Sequence, residues 1–277
     1  MGENGVAVVD VTKDFRSYEE MDEVYQQRHL KGHSNEPYIV DVHDTKRRLI
    51  FFGSVHSSDP KHMQWPLLEK YWNEFIQSQN AQKQVFMEGR VRPVQGKTKE
   101  QAMLSDGEAG LICWMSNKSS IPVDSPEPDM DDEIEYIVNS GITNRAVRIY
   151  YFARQMLQWL TYNYKTSPDW REYAINFLNH QKKLKNFADV NMDLDSVLAD
   201  FKLEAGKGFS EKDRELLYQL SNPFDSKASA TSSIYRNIVL FQAIKDKWDT
   251  SVDTFVVYGS GHAIVLEPAL RKLIESK

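Results

Sequence analysis

Two stretches of the chain, far apart in sequence, carry the same spacing of a glycine and a histidine. One β-rich run passes into Gly53-Ser54-Val55-His56, and another near the C-terminus passes into Gly259-Ser260-Gly261-His262. With 13 glycines and 7 histidines among 277 residues, chance placement gives about 0.3 such pairs. Two occur, and each closes an apolar run. An imidazole titrates near neutrality, so it can take a proton from water or, when neutral, ligate a metal. Two further apolar runs also end in acids: Gln84–Glu88 stops at Glu88 before Gly89 and Arg90, and Ile121–Asp124 leads through Ser125 and Pro126 to Glu127. In an open α/β sheet, parallel strands bring their C-terminal ends to one edge, which is where such folds bind ligands. That placement would gather His56, His262, Glu88 and Glu127 in one cleft.

Such a gathering requires strands and helices to alternate along the chain, and the hydrophobic pattern does alternate. Phe15, Tyr18, Met21 and Tyr25 recur at helical spacing and Gly32 follows, predicting a helix over about Asp14–Leu30. Residues 37–56, PYIVDVHDTKRRLIFFGSVH, read as an antiparallel hairpin around the polar turn Asp44-Thr45-Lys46-Arg47. Pro66 opens a helix whose Leu67, Leu68, Tyr71, Trp72, Phe75 and Ile76 form a stripe that must face the sheet. A strand at Gln84–Glu88, a helix around Glu108–Ser116 and a strand at Ile121–Asp124 follow. From Asp129 to Lys247 nearly everything reads as helix; Trp170, Tyr173, Ala174, Phe177, Leu178 and Leu184 form one apolar face there. A last strand, Thr254–Tyr258, precedes a final helix in which Pro268 is expected in the first turn. The expected fold is a single α/β domain over residues 1–277. Its central sheet is mixed and mostly parallel, with an N-terminal hairpin, flanking helices and a large helical insertion or cap at residues 129–250 before the last strand.

Composition narrows the function. The formal net charge is −6 and 41% of residues are apolar, which excludes a wholly disordered chain and argues against a nucleic-acid partner. The single cysteine, Cys113, excludes an internal disulfide and any paired-cysteine metal site. It falls in an apolar helical run and reads as core. The most apolar long stretch, Arg145–Tyr164, carries Arg145, Arg148 and Arg154 and so reads as a buried helix, not a bilayer span. The first fifteen residues lack a basic region followed by an unbroken apolar run, so no signal peptide is expected. The expectation is a cytoplasmic protein with no membrane partner.

Other suggestive residues have plainer readings. Of the seven acids of Asp124–Glu135, Asp129, Asp131, Asp132 and Glu133 fit the first turn of a helix, where the dipole favours negative charge; Glu127, at a strand end ahead of that helix, remains a candidate. Gly96-Lys97-Thr98 matches the end of a P-loop, but Val91 stands where its first glycine must be. His43 belongs to the hairpin turn, and Asp59 and His62 read as surface groups. Ser57 and Ser260 neighbour the histidines without the Gly-x-Ser-x-Gly elbow of a serine nucleophile.

The set Gly53/His56, Gly259/His262, Glu88 in VFMEG and Arg236 in SIYRN resembles the hallmarks of the TraB/Tiki superfamily. That group also takes in pheromone-shutdown proteins, ChaN-like haem-binding lipoproteins and erythromycin esterases. The likeness covers Leu49–Glu127, including IPVDSPEP with Glu127, and Ser233–Leu270. The lipidation cysteine and membrane anchor of several members have no counterpart in it. The resemblance implies a hydrolase of an ester or peptide carbonyl with His56, His262, Glu88, Glu127 and Arg236 in its site, acting on a small-molecule or peptide substrate. In a metal-dependent version, a divalent Mn, Co or Zn ion bound by His56, Glu88 and His262 activates water. In a metal-free version one histidine is the general base, a carboxylate orients it and Arg236 stabilises the oxyanion. The alternative is a binding protein that holds haem or another small ligand in the same cleft without turnover.

Overall fold

A computed structural model of the chain describes residues 11–57, 59–163, 167 and 169–275. The first ten residues, in which no leader was expected, and Tyr164, at the end of the expected buried helix, lie outside these. The chain divides into two compact units, Met1–Glu127 with Asn237–Lys277, and Pro128–Arg236. In chain order the first stretch holds α1 (Tyr18–Leu30), β1 (Tyr38–His43), β2 (Arg48–Ser54), α2 (Gln64–Ile76), β3 (Lys83–Met87), α3 (Lys99–Ser119) and β4 (Val123–Asp124). The helical stretch holds α4 (Met130–Asn139), α5 (Asn144–Gln158), α6 (Trp170–Gln181), α7 (Leu194–Ala205) and α8 (Arg214–Ser221). Then come α9 (Lys227–Asp249), within which the unit boundary falls, β5 (Asp253–Gly259) and α10 (Ser260–Glu275).

In the first unit the strands lie in the order β1-β2-β5-β3-β4. β1 pairs antiparallel with β2, and every other pair is parallel. The last strand therefore sits in the middle of the sheet. All seven of its residues are buried, as expected of a parallel strand covered on both faces. Period-two alternation sends Phe255 and Val257 to one face with Ile50, Phe52, Val85 and Met87, against Leu68, Trp72 and Phe75 of α2 and Leu111 and Ile112 of α3. Val256 and Tyr258 go to the other face with Phe51 and Phe86, against Leu240 and Ile244 of α9 and Leu266 and Leu270 of α10. The fold class is thus α/β, a five-stranded mixed and mostly parallel sheet opened by an antiparallel hairpin. The hairpin closes at Asp44, whose carboxylate accepts from the amides of Lys46 and Arg47 at 2.7 and 2.8 Å. His43 is exposed there and Cys113 is buried beside Met87.

The second unit has its own core, around Phe152, Phe187, Phe201 and Val197. Its helices begin at side-chain caps, Asp129, Thr143, Asp169, Asp193 and Asp213, each accepting from a backbone amide of the first turn. The acidic run thus supplies the cap and first turn of α4, as its sequence suggests. Residues Ile149–Ala153 of α5 are buried in succession, so the middle of this helix is covered all round. Among the described residues no helix is long and apolar enough to cross a membrane.

Three local expectations are corrected. The helix expected from Asp14 begins at Tyr18, behind a short 3-10 turn at Thr12–Asp14, because Ser17 and Glu20 close a capping box there. The strand expected at Ile121–Asp124 is reduced to its last two residues. Pro268 lies in the interior of α10, not in its first turn, because the helix starts directly from β5 at Ser260. An interior proline leaves the carbonyl four residues back without its amide donor. That carbonyl is Ile264 O, and Arg16 Nη1 donates to it at 2.9 Å, while the Arg16 amide donates to Val265 O at 2.9 Å. The same guanidinium pairs with Glu267 at 2.8 Å, and Glu267 also accepts from the Tyr38 hydroxyl at 2.5 Å.

Losing Arg16 should then cost about 1–3 kcal/mol, since it leaves buried acceptors unmet. Pro268→Ala restores the amide to Ile264 O, so in urea unfolding Arg16→Ala should cost less in that background than in wild type. Equal costs in both backgrounds would contradict the pairing.

Candidate functional site

The parallel register carries the chemistry to one rim. Gly53 lies beside Tyr258, Ser54 beside Gly259, and Met87 beside Val257, so His56, the Gly259–His262 turn and Glu88 all leave the sheet at the same edge. Glu88 continues the ladder by one bond, its amide donating to Val257 O at 2.9 Å. Its carboxylate then accepts from the Gly259 amide through Oε2 at 2.8 Å. The carboxylate is thereby fixed to the backbone of one Gly-x-x-His turn.

Each oxygen of Glu88 faces a different ring. His56 Nε2 lies 3.7 Å from Oε2, and His262 Nε2 lies 3.8 Å from Oε1. The far nitrogen of each ring is held elsewhere. His56 Nδ1 hydrogen-bonds to Glu108, whose Oε1 also accepts from Ser54 Oγ at 3.0 Å. His262 Nδ1 bonds to Asn237 Oδ1 on α9 at 2.6 Å, and the ring meets Tyr258 edge-on at 5.6 Å. An ionised carboxylate and an amide oxygen only accept, so both rings carry a proton on Nδ1 and turn Nε2 toward Glu88. Burial pushes the Glu108 carboxyl up, but its bonds from His56 and Ser54 outweigh this and hold it below its ordinary 4.5.

The two histidines arrive by different routes. His262 sits in the first turn of α10. His56 sits in an irregular segment with φ +50°, a left-handed conformation that costs a non-glycine residue about 1 kcal/mol and is retained mainly at functional positions. Buried Gln64 fixes that segment, its Oε1 accepting from the Val55 amide and its Nε2 donating to Ser57 O, both at 3.3 Å. Asp59 and His62 serve the same loop: Asp59 O accepts from Trp65 Nε1 at 2.7 Å and His62 Nδ1 from the Gln64 amide at 3.1 Å. His56 is the accessible ring, with 54% of its side chain exposed against 13% for His262.

Glu127 approaches the same rim from the end of β4. Its Oε1 accepts from the Gly89 amide at 3.2 Å, bracing the turn that carries Glu88. Within the first unit the structure brings together His56, Glu88, Glu127 and His262 with two residues the sequence did not mark, Glu108 and Asn237; Arg236 is the last residue of the second unit. Glu108 had a signal: Asp106-Gly107 is a turn-forming dipeptide inside a helical pattern. Asn237 had none beyond its place next to Arg236.

Among the described residues no three His, Cys, Asp or Glu side chains are spaced to hold a metal ion as they stand. The donor chemistry of His56, Glu88 and His262 nevertheless fits a cation. Two imidazole nitrogens and a carboxylate face one another, and each ring is oriented by an acceptor on its far side, as in metal-ligating histidines. A proton shared within the group meets the same electrostatic need. Comparison of the chain with protein-family models, with curated proteins and with solved structures finds no match.

The two motif glycines have separate tasks. A Cβ on Gly53 would lie 2.7 Å from Tyr38 O and 2.9 Å from Ser260 Cα, against backbone that cannot yield. A Cβ on Gly259 would lie 2.7 Å from His56 Nε2, a side-chain atom. Gly53→Ala should therefore destabilise the fold by about 1–3 kcal/mol. Gly259→Ala should melt near wild type while shifting the ring resonances of His56. Equal losses of stability in the two variants would contradict this division.

Proposed function

We propose that this rim is a hydrolytic centre acting on the carbonyl of an ester or peptide bond. The observation that carries the reading is the single carboxylate, Glu88, facing the Nε2 of both Gly-x-x-His histidines at 3.7 and 3.8 Å. His56, the exposed ring, is the group that water and substrate reach. Its Nε2 takes a proton from water as the oxygen attacks the carbonyl carbon, and Glu108, against Nδ1–H, stabilises the imidazolium that forms. The proton then passes to the leaving oxygen or nitrogen as its bond to carbon breaks, so the ring ends neutral. Glu88 holds the positive charge of the site in place from below both rings, and His262 is locked by Asn237 to face it. A divalent Mn, Co or Zn ion, held by His56, Glu88 and His262, would supply a more acidic water and a polarised carbonyl.

The resemblance to the TraB/Tiki superfamily supports the same reaction class, and Glu127 and Arg236 keep the supporting places it implies. The substrate is a small molecule or a peptide; the net charge of −6 gives no support to a nucleic acid.

On a panel of activated esters and short peptides, His56→Ala and His262→Ala should each lower the hydrolysis rate by about 100-fold or more. Assay before and after chelation, with metal content measured, separates the two versions of the chemistry. Full activity in either histidine variant would end the proposal, and so would a haem Soret shift in a protein that turns over none of the panel.

A further inference from the structure

The residue that decides what His56 can do is not on a strand end at all. Helix α3 is broken at Asp106 and Gly107, whose φ/ψ of −138°/16° and 58°/−139° lie outside the helical range. The Gly107 conformation is one that glycine alone adopts without strain. Glu108 is the first residue past the break. Two residues later, a Cβ on Gly110 would come within 2.0 Å of Ala102 O and 2.9 Å of Asp106 Cβ, so only glycine lets the two halves of the helix close on each other. Asp106 is held on its own side by Lys97 Nζ at 3.2 Å and Ser105 Oγ at 2.6 Å. The segment Asp106-Gly107-Glu108-Ala109-Gly110 is thus a built kink, and what it presents to the sheet edge is the Glu108 carboxylate.

We infer that Glu108 is the positioning residue of His56: seated by this kink, it holds the ring's proton on Nδ1 and aims Nε2 at Glu88 before any substrate arrives. The geometry is specific. Glu108 Oε1 receives both His56 Nδ1 and Ser54 Oγ, and Ser54 is itself buried in the last position of β2. Ser54 Oγ lies 3.3 Å from His56 Nδ1, so besides orienting the carboxylate it can accept from Nδ1 should Glu108 be removed. A histidine free in water favours the opposite tautomer, with the proton on Nε2, and in that form the Nε2 of His56 could not take a proton from water. The kinked helix therefore supplies an orienting carboxylate of the kind that a general-base histidine requires. This role rests on the hydrolytic reading, but its physical content is a property of the resting protein.

The test reads the ring directly. Imidazole 15N spectra of the full chain near neutral pH should show His56 with its proton on Nδ1 and a bare Nε2. Combining Ser54→Ala with Glu108→Ala removes both acceptors and should shift His56 to the Nε2–H form, while His262, held by Asn237, keeps its spectrum. Glu108→Ala alone should lower kcat by about 100-fold with KM little changed, as the loss of an orienting group does. Wild-type His56 protonated on Nε2 overturns the inference without any variant needing to fold. So does an unchanged His56 spectrum in the double variant. A chain that hydrolyses nothing but shows the expected tautomer and its loss would defeat the proposed activity and leave the positioning role standing.

Discussion

Three polar groups converge at the rim of the sheet: the Nε2 of His56, the Nε2 of His262 and the carboxylate of Glu88. Each member of this group is fixed from behind. Glu88 is tied to the Gly259 amide, His56 to Glu108, and His262 to Asn237. Those three ties come from β5, α3 and α9, so elements on both faces of the sheet are committed to one electrostatic arrangement.

The arrangement constrains the fold around it. β5 must be central, because only there do its C-terminal turn and the ends of β2 and β3 adjoin. The passage from β5 into α10 has no loop: Gly259 ends the strand and Ser260 begins the helix. That abrupt turn runs so close to β2 that Gly53 has no room for a side chain. It also moves the whole of α10 forward, which carries Pro268 into its interior and leaves Ile264 O for Arg16 to satisfy. A residue near the N-terminus thereby supports a helix whose first turn carries His262.

Much of this was legible in the sequence. Continuous apolar runs marked β2, β3 and β5, because burial on both faces of a parallel sheet leaves a strong pattern, and the polar turn at Asp44 marked the hairpin. The rim residues His56, Glu88, Glu127 and His262 were marked by their places after those runs. The failures have local causes. Pro268 was read as a helix start because proline favours first turns, and nothing nearby announces that Arg16, some 250 residues away, replaces its missing bond. β4 is shorter than its apolar run suggests. Glu108 and Asn237 stayed hidden because orienting partners need only an acceptor in the right place, and acids and asparagines on helices are ordinarily solvent groups. The two Gly-x-x-His motifs, alike in letters, also differ in backbone: one histidine sits in a left-handed loop and the other in a helical turn.

The claim on which the rest depends is that one side chain, Glu88, stands between the two histidines. Replacing it by glutamine keeps its size and removes its charge, and the ring signals of His56 and His262 can be followed together in one NMR spectrum. Both histidines should respond to Glu88→Gln, while His43 and His180, which lie elsewhere in the chain, stay where they are. A response from only one of the pair, or from neither, would show that the carboxylate does not join them and would contradict the account.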